Sequence, residues 1–272
     1  MRIADIEVIN LHAEYPNRRG YLYAGGVTTS RVTSLIRVTT DGGVTGLGAV
    51  YSYPDLVRII VMNHLRPHLL GHDPREVETL WDKMYALTRW YGRKGGAISA
   101  LGGLDIAFWD LRGKALGTPV YRLLGAERNS VPAYASGLLW HDDVSALERE
   151  AATHMSRGFR RVKMRLGHSR DYDVAALDAV RRGVGPEGDV MVDGSHRYTL
   201  ETAEWLGKIL ADRKAFWFEE PFAPEEIDSY VALRPRLSLP LAAGENDFGV
   251  QGFREMLRAG ALDIVQPDAC RA

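Results

Sequence analysis

The sequence predicts an α/β protein: a small α+β domain over about the first 125 residues, then a (β/α) barrel of TIM type that is truncated after its sixth strand. Two observations carry this. From Val131 onward, six short apolar segments begin every 23 to 30 residues with amphipathic stretches between them, the pattern of parallel strands joined by helices. Asp193, Glu219, Glu245 and Asp268 each fall at, or one residue past, the end of a different segment. Charges in such positions would cost several kcal/mol each if buried unpaired, whereas on a barrel's rim they converge where barrel enzymes do their chemistry. A doubly wound open sheet is the other candidate, but no glycine-rich phosphate-binding turn follows the first segment.

The elements follow in order. Ile3, Ile6, Val8, Ile9 and Leu11 make an opening strand. Residues 35–39 and 44–48 flank Thr40-Asp41-Gly42-Gly43, a hairpin signal with glycines where a positive φ is wanted. Asp73-Pro74-Arg75-Glu76 reads as a helix start, with a capping residue and then proline at the first helical position. Val77, Leu80, Trp81, Met84 and Tyr85 would be its apolar face. A second helix is predicted from about Ile98 to Leu116, stopped by Gly117-Thr118-Pro119. The strand candidates beyond are Val131–Ala135, Arg161–Arg165, Asp189–Asp193, Ala215–Glu219, Pro240–Gly244 and Asp263–Pro267. Helices over Asp143–Arg157, Asp173–Arg182 and Thr199–Leu210 fill gaps between them. The domain division is 1–125 and 126–272. A complete barrel usually takes ~250 residues and at least ~200, but Val131 to Ala272 is only 142 residues. The barrel is therefore expected to be incomplete at its C-terminus.

Composition sets the class. The chain has 272 residues, 46% hydrophobic and 25% charged, so a sizeable core is possible and disorder is not expected. With 34 Lys+Arg against 35 Asp+Glu the net charge is −1, without the basic excess of a nucleic-acid binder. The single cysteine, Cys270, excludes an internal disulfide framework and a Cys-based zinc site. No signal segment opens the chain and no run of 18 apolar residues occurs, so a cytoplasmic protein with no membrane partner is expected.

Asp193, Glu219 and Glu245 are spaced 26 and 26 residues apart on successive strand ends. Three carboxylates form an oxygen-only ligand set, suited to a hard cation and above all to Mg²⁺. Pairing with an arginine or capping a helix would explain any one of them, but not the equal spacing of all three. Lys163 and Arg165 lie two apart on one strand and so share a face. If Met164 faces the helices, that face is the barrel interior, where two cations could balance the carboxylates and hold an anionic substrate group. His196, in Asp193-Gly194-Ser195-His196, could donate to substrate or titrate near neutrality, or else be a solvated loop residue.

The chain resembles the mandelate racemase/muconate-lactonising enzyme family of the enolase superfamily along its whole length. The resemblance rests on residues 100–114 (ALGGLDIAFWDLRGK) with Pro119-Val120 and Leu123-Leu124-Gly125, then on Trp217-Phe218-Glu219-Glu220-Pro221, Gly244-Glu245-Asn246 and Gln266-Pro267-Asp268. It implies an α+β cap domain over a (β/α)₇β barrel. It also implies removal of the proton next to a carboxylate, with Mg²⁺ stabilising the enediolate. By resemblance Asp193, Glu219 and Glu245 would bind the metal and Lys163 would contact the substrate carboxylate. Asp268 would be the acidic half of an Asp–His dyad whose histidine comes from the seventh strand. Lys163, Arg165 and Asp268 are thus the candidate catalytic residues. Ser195, His196, Glu220, Tyr21 and Tyr51 are the candidate substrate-binding residues, the two tyrosines belonging to cap segments (15–26 and 51–53) that resemble substrate-closing loops. Arg165 stands where many relatives have a second lysine, and Ser195 where they more often have Asn or His. Arginine keeps its proton and is a poor base. One base suffices for a dehydratase, so dehydration of an aldonate or aldarate to a 2-keto-3-deoxy acid is expected. An α-hydroxy-acid racemase or epimerase, or an inactive truncated fragment, are the alternatives. The resemblance also implies a homo-oligomer.

Overall fold

The structure is a computed structural model that describes residues 1–15, the backbone of 21–23, and residues 26–271. The cap begins with β1 (Ile3–Glu14), followed by a short hairpin of β2 (Tyr21–Tyr23) and β3 (Gly26–Thr28). Next come β4 (Ser30–Thr40) and β5 (Thr45–Val50), which with β1 form an antiparallel sheet in the order β1-β4-β5. The turn between β4 and β5 works as its sequence suggests: Gly43 has a φ of 78° and donates to Thr40 O at 2.9 Å. Helices α1 (Pro54–Ile59), α2 (Arg66–Leu69), α3 (Val77–Thr88), α4 (Gly96–Ala115) and α5 (Val120–Leu123) complete the cap, with a π-helical stretch over residues 60–65.

Glycines let α4 lie almost on the backbone of β5. A Cβ at Gly48 would sit 1.9 Å from Gly103 O, and one at Gly46 would sit 2.2 Å from Ala107 O. The interface buries Ile36, Val50, Leu104, Phe108 and Leu111 without gaps wide enough for larger residues at those glycines.

Asp105 on α4 is the costly residue of this core. Burial, helped by the negative charge of Glu78, pushes its carboxyl from 3.8 up to about 6. Because the folded-state value is the higher one, the penalty is absent at low pH, sets in between 3.8 and about 6, and is complete above that. Asp105→Asn is therefore expected to raise stability at pH 8 by on the order of 1 kcal/mol once solvent screening is allowed for, read as a higher melting temperature, and to have a much smaller effect at pH 4. An equal shift at both pH values would refute it.

The second part is a six-stranded parallel sheet in the order β11-β10-β9-β8-β7-β6. Its elements are β6 (Ala135–Ser136), α6 (Val144–Ser156), β7 (Arg161–Arg165), α7 (Arg170–Val184), β8 (Asp189–Asp193) and α8 (Leu200–Asp212). Then follow β9 (Phe218–Glu219), α9 (Ile227–Leu233), a 3₁₀ turn at 234–236, β10 (Leu241–Ala243), α10 (Gly249–Arg258) and β11 (Ile264–Val265). Six strands in strict sequence order, with helices between β6 and β11, make a (β/α) barrel of TIM type through its sixth strand. The first three helices of this part are capped by side chains: Asp143 accepts from Ser145 N at 2.9 Å, Ser169 accepts from Tyr172 N, and Thr199 and Thr202 form a reciprocal capping box.

Alternation along the strands divides the residues between two faces. Val162, Met164, Val190 and Val192 pack outward into the helix layer. Met191, Trp217 and Ala242 form a separate inner layer with Tyr134 and Ile264. Met164 does face the helices, so Lys163 and Arg165 point inward.

Three sequence expectations need correction. The helix predicted from Asp73 begins at Val77; the Asp73 carboxylate is turned onto Arg75, accepting from its backbone N–H at 2.9 Å. The strand predicted over Val131–Ala135 is only Ala135–Ser136, and Val131 is 80% exposed. The last strands are shorter than their apolar runs, covering Phe218–Glu219 and Ile264–Val265. Among the described residues no helix is long and apolar enough to cross a membrane.

Candidate active site

The C-terminal ends of β7, β8, β9 and β10 bring the predicted residues together. In register, Lys163 pairs with Met191 and Arg165 with Asp193, while Asp193 pairs with Glu219 and Glu219 with Ala242. Asp193, Glu219 and, just beyond β10, Glu245 each offer an oxygen, and these lie within 4.8 Å of one another.

Two cations meet the carboxylates. Lys163 Nζ donates to Glu219 Oε1 and lies 3.6 Å from Asp193 Oδ2. Arg165 Nη1 lies 2.8 Å from Asp193 Oδ2 and Nη2 lies 4.0 Å from Glu245 Oε1. Burial alone would lower the Lys163 pKa, but Glu219, Asp193 and Glu245 outweigh it and raise the value. Burial, with the charge of Asp193, raises Glu219. Glu219 Oε2 also accepts from Trp217 Nε1 at 3.0 Å and from Gln266 Nε2 at 2.9 Å.

The oxygens suit a hard divalent cation. Asp193 Oδ1 accepts from Ser195 N at 2.8 Å, but its buried Oδ2 accepts no well-directed hydrogen bond. A buried carboxylate oxygen in that condition, converging with two further carboxylates, fits Mg²⁺ coordination.

A second network lies beside the first. Glu220 Oε2 holds His196 Nε2 at 2.7 Å and accepts from Asn246 Nδ2 at 2.6 Å, while Gly244 N donates to Oε1 at 3.3 Å. His196 is raised in pKa, because the hydrogen bond and charge of Glu220 overcome the opposing effect of burial. The loops carrying these groups are held in unusual backbone: Ser195, His196 and Glu220 have φ of 52°, 60° and 38°. Such left-handed residues are uncommon outside glycine and persist where the surroundings fix them. Here Gly194 N donates to Glu219 O at 2.7 Å and His196 N to Glu220 O at 2.9 Å.

Above these groups lies a cavity of about 880 Å³, lined by Lys163, Arg165, Ser195, His196, Glu220 and Glu245 from the strand ends. Asp268 also lines it and accepts from Cys270 N at 2.8 Å. Tyr51 lines it from the cap. The Tyr21 side chain, and residues 16–20 and 24–25 of the predicted closing loop, lie outside the described residues. Sequence reasoning had given no site role to Asn246, Gln266, Arg271 or Asp173, although Asn246 and Gln266 lie in the motifs quoted above. Buried Asp173 accepts from Gly167 N and His168 N, each at 3.1 Å, and from Tyr198 Oη at 2.6 Å, so it ties the loop after β7 to the loop after β8. Only Gln266 had a local signal, since it shares the inward alternation of Ile264.

Comparison with known proteins agrees with this architecture. Residues 6–125 match the family model of the mandelate racemase/muconate lactonizing enzyme N-terminal domain, and residues 146–272 match the enolase C-terminal domain-like model. The chain belongs to the mandelate racemase/muconate-lactonising enzyme family of the enolase superfamily. Within that family it is 36% identical to a D-galactarolactone cycloisomerase of Agrobacterium fabrum over 88% of this chain and 64% of that protein. It is 35% identical to an arabinonate dehydratase of Saccharolobus solfataricus, over 85% of this chain and 63% of the relative. It thus spans a little under two thirds of the length of these curated relatives. A racemase from Streptomyces coelicolor A3(2), solved with bound magnesium, superposes with a TM-score of 0.94 at 30% identity, covering 99% of this chain and 76% of that one.

Proposed function

We propose that the full-length enzyme removes the proton α to the carboxylate of an aldonate or aldarate and dehydrates it to a 2-keto-3-deoxy acid, with Mg²⁺ as cofactor. The observation that carries this is the cluster of Asp193, Glu219 and Glu245, with Lys163 buried against it at the floor of the cavity. Those three carboxylates would hold the metal, which when bound offsets the negative charge that builds on the substrate carboxylate as the proton leaves. Lys163 presents an ammonium from the same floor and holds a substrate carboxylate oxygen. Arg165 keeps its proton and orients the anion, with Ser195 Oγ 3.4 Å from its Nη1. Neither strand-end cation therefore supplies a second base. The general base is assigned to a histidine oriented by Asp268, as in the family's dyad, and the same imidazolium can protonate the departing hydroxyl.

The test is to incubate full-length enzyme, Mg²⁺ and a panel of aldonates, aldarates and their lactones in D₂O. A 2-keto-3-deoxy acid is expected from at least one open-chain acid. Deuterium exchange or epimer interconversion without keto acid would overturn the proposal in favour of an epimerase. Consumption of lactones alone would favour an isomerase.

A further inference from the structure

The cavity has two unlike walls. On the barrel side its acidic groups already have partners: Glu220 has His196 and Asn246, Asp268 has Cys270 N and Arg271, and Glu245 belongs to the carboxylate cluster. The cap side is lined, among the described residues, by Thr28, Ser30, Arg31, Val32, Thr33 and Tyr51. It carries no carboxylate, and its one charged group is Arg31. Its threonine protons are committed: Thr28 Oγ1 donates to Ser30 O at 2.9 Å and Thr33 Oγ1 to Val50 O at 2.8 Å.

Arg31 is also pre-positioned. Its Nη1 donates to Tyr51 Oη at 3.1 Å, and its guanidinium carbon sits 4.5 Å from the Tyr51 ring centroid. Arg271 reaches the same ring from the barrel side, at 4.8 Å. The segment bearing Arg271 is pinned to the cap, because Tyr51 N donates to Cys270 O at 2.9 Å and Ser99 Oγ to Arg271 O at 3.0 Å. Arg271 donates through Nη1 to Asn246 Oδ1, and its Nε lies 3.6 Å from Asp268 Oδ2, within ion-pair range but longer than a hydrogen bond. Two guanidinium groups stacked on one ring lose little freedom on meeting an anion, and their planar forks match a carboxylate.

We propose that Arg31, with Tyr51 and Arg271, forms a second anion subsite for the distal carboxylate of the substrate, so that dicarboxylic sugar acids are preferred to monocarboxylic ones. This rests on the sugar-acid reading above and narrows it. A charged end group should be favoured over a hydroxymethyl group about tenfold or more, the difference between a charge-assisted and a neutral hydrogen bond.

The test uses full-length enzyme with Mg²⁺ and two readouts. The first is kcat/KM for galactarate against galactonate and for glucarate against gluconate. The second is the dissociation constant of adipate against 6-hydroxyhexanoate, which have no hydroxyl to eliminate and differ only in the distal group. Each is measured for the wild type, Arg31→Gln and Arg31→Lys, with melting temperatures as the check on folding. The expected result is a diacid preference of about tenfold or more in both readouts, abolished by Arg31→Gln and partly kept by Arg31→Lys, the diacid constants changing far more than the monoacid ones. Equal handling of diacid and monoacid, or a preference that survives Arg31→Gln, overturns the subsite while leaving the dehydratase reading standing. A binding preference that depends on Arg31, with no turnover of any sugar acid, upholds the subsite and overturns the dehydratase reading.

Discussion

Lys163→Met is expected to destabilise the metal-free protein by about 3–5 kcal/mol, and saturating Mg²⁺ is expected to return most of that loss. The Lys163 side chain is 5% exposed, against 0% for Glu219 and 1% for Asp193. Removing the ammonium leaves Glu219 with only Trp217 Nε1 and Gln266 Nε2 as donors, while Asp193 keeps Arg165. A buried carboxylate stripped of its cation is the expensive case, far more so than an exposed ion pair. Protonation of Glu219, whose pKa burial raises, limits the cost at low pH, so the loss grows as the pH rises. A divalent cation held by the same oxygens supplies the missing positive charge. Urea unfolding of wild type and variant, in EDTA and in excess Mg²⁺, reads both halves of the expectation. A loss of the same size in the two conditions would mean that the metal does not occupy this cluster.

How much of this could be read from the sequence depended on whether the signal was local. Arg161–Arg165 and Asp189–Asp193 were legible to the residue, because each is a short, mostly apolar run bounded by charged residues, and in the first outward Val162 and Met164 alternate with inward Lys163 and Arg165. Spacing of two put Lys163 and Arg165 on a shared face, inward if Met164 faced the helices, and position at the strand ends put Asp193 and Glu219 on the rim. Val131 misled because apolar character marks a strand only when something covers it, and here it lies exposed ahead of the sheet. Asp73 misled because its carboxylate satisfies the turn at Arg75, a local competitor of helix capping. The network around Glu220 was out of reach for a different reason. Its members His196, Glu220, Asn246 and Arg271 come from four loops, and Tyr51 and Arg31 from the cap. No spacing in the chain encodes which loop tips meet. Such contacts are set by the order of the parallel strands and by cap docking, through bonds such as Tyr51 N to Cys270 O and the ion pair of Lys94 Nζ with Asp247 Oδ1 at 3.0 Å.

The second large effect concerns activity, and Glu245 is the residue that isolates it. Asp193 and Glu219 hold up the fold as well as the cluster, since both are buried and bonded to Lys163 or Arg165. Glu245 is different: its side chain is 31% exposed and its nearest cation, Arg165, stands 4.0 Å away. Glu245→Gln should therefore change metal-free stability by no more than about 0.5 kcal/mol, the range of surface substitutions. It should nonetheless lower kcat on the sugar acid by about 10³-fold or more, because a metal worth several kcal/mol of transition-state stabilisation loses one of its three carboxylates. The Mg²⁺-dependent rise in melting temperature should shrink in parallel, as a weaker ligand stabilises the native state less at the same concentration. The two readouts must move together. A variant that loses activity but keeps the full Mg²⁺ response would place Glu245 on the substrate rather than on the metal, and one that keeps both would remove it from the site altogether.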